Sequence, residues 1–153
     1  MIEFARSQYD YVVIDLPTVW SKQAKATLGD VDFIYLVCNP ELPSLHLTRK
    51  CITCLEQLGF GSDKFGLLVN RMSRKQELGP ADMERVFNFP IGKVFSEDAT
   101  AVHRALTAGK PIANSCELGR SLIQFGNSAF GIQVEEKKRS VTGLRLSALL
   151  SQS

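Results

Sequence analysis

Residues 9–17, YDYVVIDLP, decide how the rest of this 153-residue chain is read. Tyr11, Val12, Val13 and Ile14 are apolar at successive positions, so both faces of a strand here would be apolar. That pattern predicts a strand over residues 11–16, buried on both sides in a parallel sheet. Asp15 then falls at the carboxyl end of the strand, with Pro17 just beyond. Open α/β sheets bind ligands at that end. In phosphate-binding folds an acidic side chain there holds Mg²⁺, directly or through water. A turn or helix-capping aspartate after a buried strand is the plainer alternative.

Working outward, strand-like runs recur at residues 33–38, 65–70 and 91–95, with helical patterns between them. A short helix is expected over 21–28. A longer one covers 44–58, where Leu45, Thr48, Ile52 and Leu55 recur at helical spacing and Gly59 follows. Pro80 starts a helix over 80–87, since proline suits a first helical turn. Gly109 and Pro111 stop a helix over 97–108, and a last helix spans 119–130. Strands alternating with helices imply βαβ units. The expected fold is therefore α/β: a partial, doubly wound, mostly parallel sheet with helices on both faces. It occupies residues 1–133. From residue 134 the chain turns charged (Glu135, Glu136, Lys137, Lys138, Arg139) and ends in SVTGLRLSALLSQS. Residues 134–153 read as a linker and tail, either disordered or forming a short amphipathic helix.

Composition narrows the function classes. Hydrophobic residues at 44% and charged residues at 22% are those of an ordinary globular domain. A net charge of +2 gives no electrostatic argument for nucleic acid. The basic side chains Arg49, Lys50, Arg71, Arg74, Lys75 and Arg85 are interleaved with acids, as on a solvated surface. The apolar run at 33–38 is far short of the ~20 residues that cross a bilayer. No signal-like apolar core follows Met1, so the four cysteines (Cys38, Cys51, Cys54, Cys116) are expected as reduced thiols in a cytoplasm. Cys51 and Cys54 form a C-x-x-C, but in mid-helix and without a second pair or a nearby histidine. Core packing accounts for them better than metal or redox chemistry. His46 and His103 stand alone on helices, and no nucleophile has a recognisable partner.

A phosphate-binding loop needs glycines that bring backbone N–H groups to phosphate, and a lysine followed by Ser or Thr. Gly92-Lys93 and Gly109-Lys110 are followed by Val94 and Pro111, with Phe87 and Arg104 where the first glycine should stand. Neither is such a loop. The chain has an aspartate suited to the metal side of a nucleotide site and no phosphate cradle.

Four stretches carry a resemblance in order along most of the chain: YDYVVIDLP, FIYLVCNPELPSLHLTRK, FGLLVNR and VFSEDATAVHRALTAGKPI. Together they resemble the second half of a MinD/ParA-type ATPase. LGFGSDKFGLLVNR and ALTAGKP are most similar to the CpaE/TadZ branch, which localises Tad/Flp pilus assembly. The resemblance implies that Asp15 is the Walker B aspartate, holding Mg²⁺ through water, and that Pro17 begins the switch that senses the γ-phosphate. Thr18 stands where the family often has a second proline. Asn70 and Arg71 are implied at the adenine, where a strand-end turn is the plainer reading. Ser96 and Asp98 are implied on the loop that lines the base, with Ser96 in place of the usual proline. Pro40 and Glu41 follow the second strand at the ligand edge.

The implied cofactors are ATP and Mg²⁺ in a complete protein, with no activity expected from this chain alone. The implied partners are a second copy, the missing N-terminal half or pilus-assembly components, with weak membrane contact through the tail. Contact with nucleic acid is not expected. A cytoplasmic protein at the inner membrane or cell pole fits this reading. The family's phosphate-loop strand lies beside the Asp15 strand, so its absence leaves an apolar sheet edge open to pairing with another chain. Dimerisation or poor solubility follows. A non-catalytic dimerising scaffold and a septum- or chromosome-positioning ATPase are the alternatives.

Overall fold

The central strand is β2 (Phe65–Met72), and the remaining structure is arranged around it. Its residues alternate between two apolar layers: Phe65, Leu67 and Val69 enter one core and Leu68 enters another. A strand used on both faces needs neighbours on both sides, and β2 has them. β1 (Ile34–Cys38) pairs with it in parallel, Ile34 opposite Phe65 and Cys38 opposite Val69. β3 (Ile91–Ser96) pairs on the other side, Val69 opposite Val94 and Met72 opposite Ser96. The sheet order is β1-β2-β3. The computed structural model describes residues 2–17 and 21–131.

The described residues form six helices: α1 (Ile2–Gln8), α2 (Lys22–Gly29), α3 (Leu42–Gln57), α4 (Pro80–Phe87), α5 (Ala99–Ala108) and α6 (Glu117–Ala129). Local chemistry sets their ends. Ser21 caps α2 by accepting from Ala24 N–H at 3.1 Å. Pro43 sits in the first turn of α3, where a missing N–H is harmless. Asp82 reaches back to Gly79 N–H at the start of α4. Asn88, at φ 50°, ends α4 in the left-handed conformation that asparagine tolerates. Gly109, at φ 59°, ends α5 in the same way, as glycine does at lowest cost.

The larger core lies between the sheet and α3 and α4. Leu45, Ile52 and Leu55 of α3 meet Phe65, Leu67 and Val69, and Met83 and Phe87 of α4 close the layer. Phe65 stacks on Phe89 with ring centroids 4.6 Å apart. Thr48, buried in α3, satisfies its hydroxyl by donating to Ser44 C=O at 2.8 Å. Burial pushes the Cys38 thiol pKa up, and a hydrogen bond with Thr48 partly opposes this. The smaller core, under α6, joins Leu68, Phe95 and Leu118, with Val102 and Phe125 packed against it. The α/β fold with a parallel sheet and helices on both faces is as expected.

One expectation is overturned. Residues 11–16 form no strand: they run as extended chain outside the sheet, with Val13 80% exposed. The physical reason is the lack of a neighbour. An apolar strand joins a sheet only where another strand offers its backbone groups, and among the described residues nothing pairs with the outer edge of β1. The segment is held by side chains instead. The Tyr11 ring lies 4.7 Å from that of Phe130, its hydroxyl donates to Phe130 C=O, and Leu16 packs on the larger core. The sequence reading also passed over α1, which buries none of its residues and is tied down by Arg6 on Asp32 at 2.8 Å. Thr18 and residues 134–153, including the tail suggested to touch membrane, lie outside the described residues. No described helix is long and apolar enough to cross a membrane.

Candidate functional site

A cleft of about 360 Å³ opens at the carboxyl ends of β2 and β3. Ser96, Glu97 and Asp98 line one wall, Ser73 and Arg74 the other, and Glu117 at the start of α6 closes the rim. Its position follows from the sheet. In a parallel sheet with helices on both faces, the turns after the strands gather at one end, and helix N-termini point there.

Two details of β2 shape the cleft. Between Val69 and Met72 the strand advances one residue more than β3, which is a bulge. Inside it, Arg71 has φ 56°, a left-handed conformation that is strained for arginine. The bulge turns the chain so that Met72 C=O accepts from Glu97 N–H at 3.0 Å. That bond fastens the two cleft walls together. Arg74 and Glu117 form an ion pair at 3.0 Å across the mouth, with both side chains exposed. Solvent screens such a pair, so it orients the rim more than it stabilises the fold.

The residues singled out from sequence differ in their relation to this cleft. The cleft brings Ser96 and Asp98 together. Asp98 also caps α5, its carboxylate accepting from Ala101 N–H at 2.9 Å. Asn70 and Arg71 sit just before Met72 on β2, half-buried and exposed respectively, and are not among the lining residues. Asp15 and Pro17 are exposed on the extended segment and are not among the lining residues. Pro40 and Glu41 follow β1, with Glu41 just before α3 and Pro40 lining a second hollow, where Gln76 Nε2 donates to Pro40 C=O at 2.6 Å. His46 and His103 are exposed on α3 and α5, and Cys51 and Cys54 lie in the middle of α3. Sequence reasoning missed Arg74 and Glu117. They are far apart in the chain, and only the packing of α6 against β3 brings them to one rim.

The cleft is lined by cationic, anionic and hydroxyl side chains, with Met72 at its base. Those features suit a flat polar heterocycle better than a phosphate chain, for which it offers no glycine-rich loop. Among the described residues, no group of three His, Cys, Asp or Glu side chains could hold a metal ion. Asp15 is a single carboxylate. Mg²⁺ often takes one carboxylate together with waters and nucleotide oxygens, so the residue fits such an ion as one contact among several.

Because Asp98 has a local structural role, its two functions are separable. Asp98→Ala is expected to cost about 1 kcal/mol through the lost cap, read from the denaturant midpoint. Asp98→Asn should retain most of that stability.

No family model matches the chain. In sequence it is 25% identical over 140 residues to the septum site-determining protein MinD of Thermotoga maritima. In structure it superposes on a ParA family ATPase from Chlorobium tepidum with a TM-score of 0.75 at 21% identity. The fold is the ParA/MinD fold. MinD of Aquifex aeolicus superposes at 0.71 with 22% identity, covering 88% of this chain and 59% of that one. The Chlorobium match covers 81% of this chain and 53% of its relative. Against the Thermotoga MinD the coverage is 88% of this chain and 48% of the relative. The chain thus spans about half the length of the ParA/MinD proteins it resembles.

Proposed function

We propose that this chain is the C-terminal part of a ParA/MinD-type ATPase domain, with residues 1–133 forming that half and the cleft at Ser96 and Asp98 taking the nucleotide base. The observation that carries this reading is the position of the cleft, at the carboxyl ends of parallel strands, on a chain similar to MinD. Asn70 and Arg71 stand at the bulge that shapes the cleft and contribute from there. Asp15 faces the phosphate side, and Pro17 begins the segment that responds to the γ-phosphate. ATP and Mg²⁺ would bind in the complete protein, the ion supplying neutralisation of the phosphate charge. The residues of this chain orient the base and hold one side of the ion. The phosphates are held by the half that the chain does not span.

Within that family we assign the chain to the CpaE/TadZ branch, on the stretches LGFGSDKFGLLVNR and ALTAGKP. ATP-dependent dimerisation would then localise Tad pilus-assembly machinery at the inner membrane or cell pole. A septum-positioning role is the second reading, favoured by the similarity to a septum site-determining protein. Co-purification with pilus-assembly rather than division proteins decides between them.

The primary test is titration with a fluorescent ATP analogue and Mg²⁺. The chain alone should bind no tighter than millimolar. Low-micromolar binding by the isolated chain, lost in Asp15→Ala, would contradict the half-site reading.

A further inference from the structure

Helix α3 carries an apolar stripe that neither core uses. Leu47, Cys51, Cys54 and Leu58 recur at spacings of four, three and four, from inside the helix to its C-cap. Helical periodicity puts all four on one flank. Leu47 is 51% exposed and Leu58 46%. The two cysteines, expected from sequence to pack in the core, are half-buried, outside any disulfide and outside both buried clusters. α3 packs on β1 and α4, and Arg49 marks the α4 flank by donating to Val86 C=O at 2.6 Å. The stripe runs along the other flank. None of its four residues lines the cleft or the second hollow. Single exposed apolar side chains are ordinary, whereas a continuous row along about 16 Å of helix marks a contact surface.

We infer that this stripe docks on the same stripe of a second copy of the chain, the two α3 helices packing antiparallel about a twofold axis between Cys51 and Cys54. The sequence of the stripe selects this occupant. Its four-three-four spacing reads the same in both directions. An antiparallel copy therefore sets Leu47 against the second copy's Leu58, and Cys51 against the second copy's Cys54, with no polar residue in the seam. A twofold contact requires such self-complementarity, and alternating steps of three and four keep two helices in register. Beside the seam, Lys50 meets the second copy's Gln57, whose amide oxygen can accept from the ammonium. The charges of α3 favour the same direction. It has no acid in its first turn and carries Glu56 in its last, an arrangement that its own macrodipole disfavours. A copy running the other way opposes the two dipoles. One helix pair covers less than the ~800 Å² per partner of a standard interface, so the contact is weak in the isolated chain. It lies apart from the cleft and does not depend on nucleotide.

The test is sedimentation velocity on the chain without nucleotide. Reversible dimerisation is expected, with a Kd of roughly 10–500 μM. Leu47→Lys should weaken it at least ~10-fold and leave the denaturant midpoint unchanged, because the position is exposed. Adding Leu58→Glu to Leu47→Lys should restore association to within ~3-fold, since the two positions face each other only in the antiparallel register. If Leu47→Lys fails to fold, Leu58→Lys with Leu47→Glu makes the same pair of measurements. A short bismaleimide added to a mixture of the Cys51→Ser and Cys54→Ser chains should join Cys54 of the first to Cys51 of the second, as read by mass spectrometry of the linked peptides. The inference is overturned if the chain stays monomeric at millimolar concentration, if Leu47→Lys leaves association unchanged, or if Leu58→Glu restores nothing. Cross-links that join only like cysteines would overturn it as well. So would a dimer that survives Leu47→Lys and is lost in Val37→Lys, which would place the contact at the open edge of β1. With no nucleotide present, none of these results bears on the ATP reading, which the titration above tests separately.

Discussion

Phe65→Ala is expected to lower stability by about 3–5 kcal/mol, the range for emptying a well-packed aromatic site. Phe65 is 1% exposed at the start of β2, stacked on Phe89 and facing the α3 layer. It belongs to a core cluster drawn from β1, β2, α3 and α4, so no single element can shift inward to fill the void. A domain of this size has a total stability of about 5–15 kcal/mol, so the variant should be largely unfolded at modest denaturant. Chemical denaturation followed by circular dichroism measures this. Phe65→Leu keeps most of the volume and should lose less than half as much. Equal losses for the two variants would mean that the stack on Phe89, not the filled volume, holds this end of the sheet.

The second large effect comes from a position with no side chain. Gly119 is the third residue of α6, buried, and a Cβ there would run into the carbonyl oxygen of Ala113. The helix itself would favour alanine by about 1 kcal/mol. The collision is with backbone, and that backbone is fixed: Cys116 N–H and Sγ both bond to Ala113 C=O, and Gly119 N–H donates to Cys116 Sγ at 3.3 Å. A side chain could rotate aside, whereas this turn cannot without breaking the α6 cap. The net loss for Gly119→Ala is therefore expected at about 2 kcal/mol, near the cost of overpacking a tight site. The same change at Gly126 on the same helix meets nothing within 4 Å and should stabilise by about 0.5–1 kcal/mol. Opposite signs at the two glycines, in denaturant midpoints, are the expected result. Stabilisation at both would show that the turn at Ala113 moves freely.

These two residues also show where the sequence was informative. Phe65 belongs to the run FGLLVN, which read as a strand from sequence and forms most of β2. Gly119 carried no such signal, because its requirement arises from a turn that folds back over the helix. Ser96 and Asp98 were reached through the family resemblance, which implied them on a base-lining loop, and the structure puts both on the wall of the cleft. Arg74 and Glu117 were not, because 43 positions separate them and only helix packing brings them to one rim.

By itself the sequence determined the local elements. Apolar runs became β1, β2 and β3, and Ser21, Pro80 and Gly109 marked helix ends where they were expected. Those outcomes depend on backbone conformation and side-chain shape within a few residues. Tertiary structure alone decided the fate of YDYVVIDLP. Its apolar pattern is that of a buried strand, yet Val13 is exposed and the segment is unpaired. A strand is completed by hydrogen bonds to a neighbour, and among the described residues the sheet ends at β1.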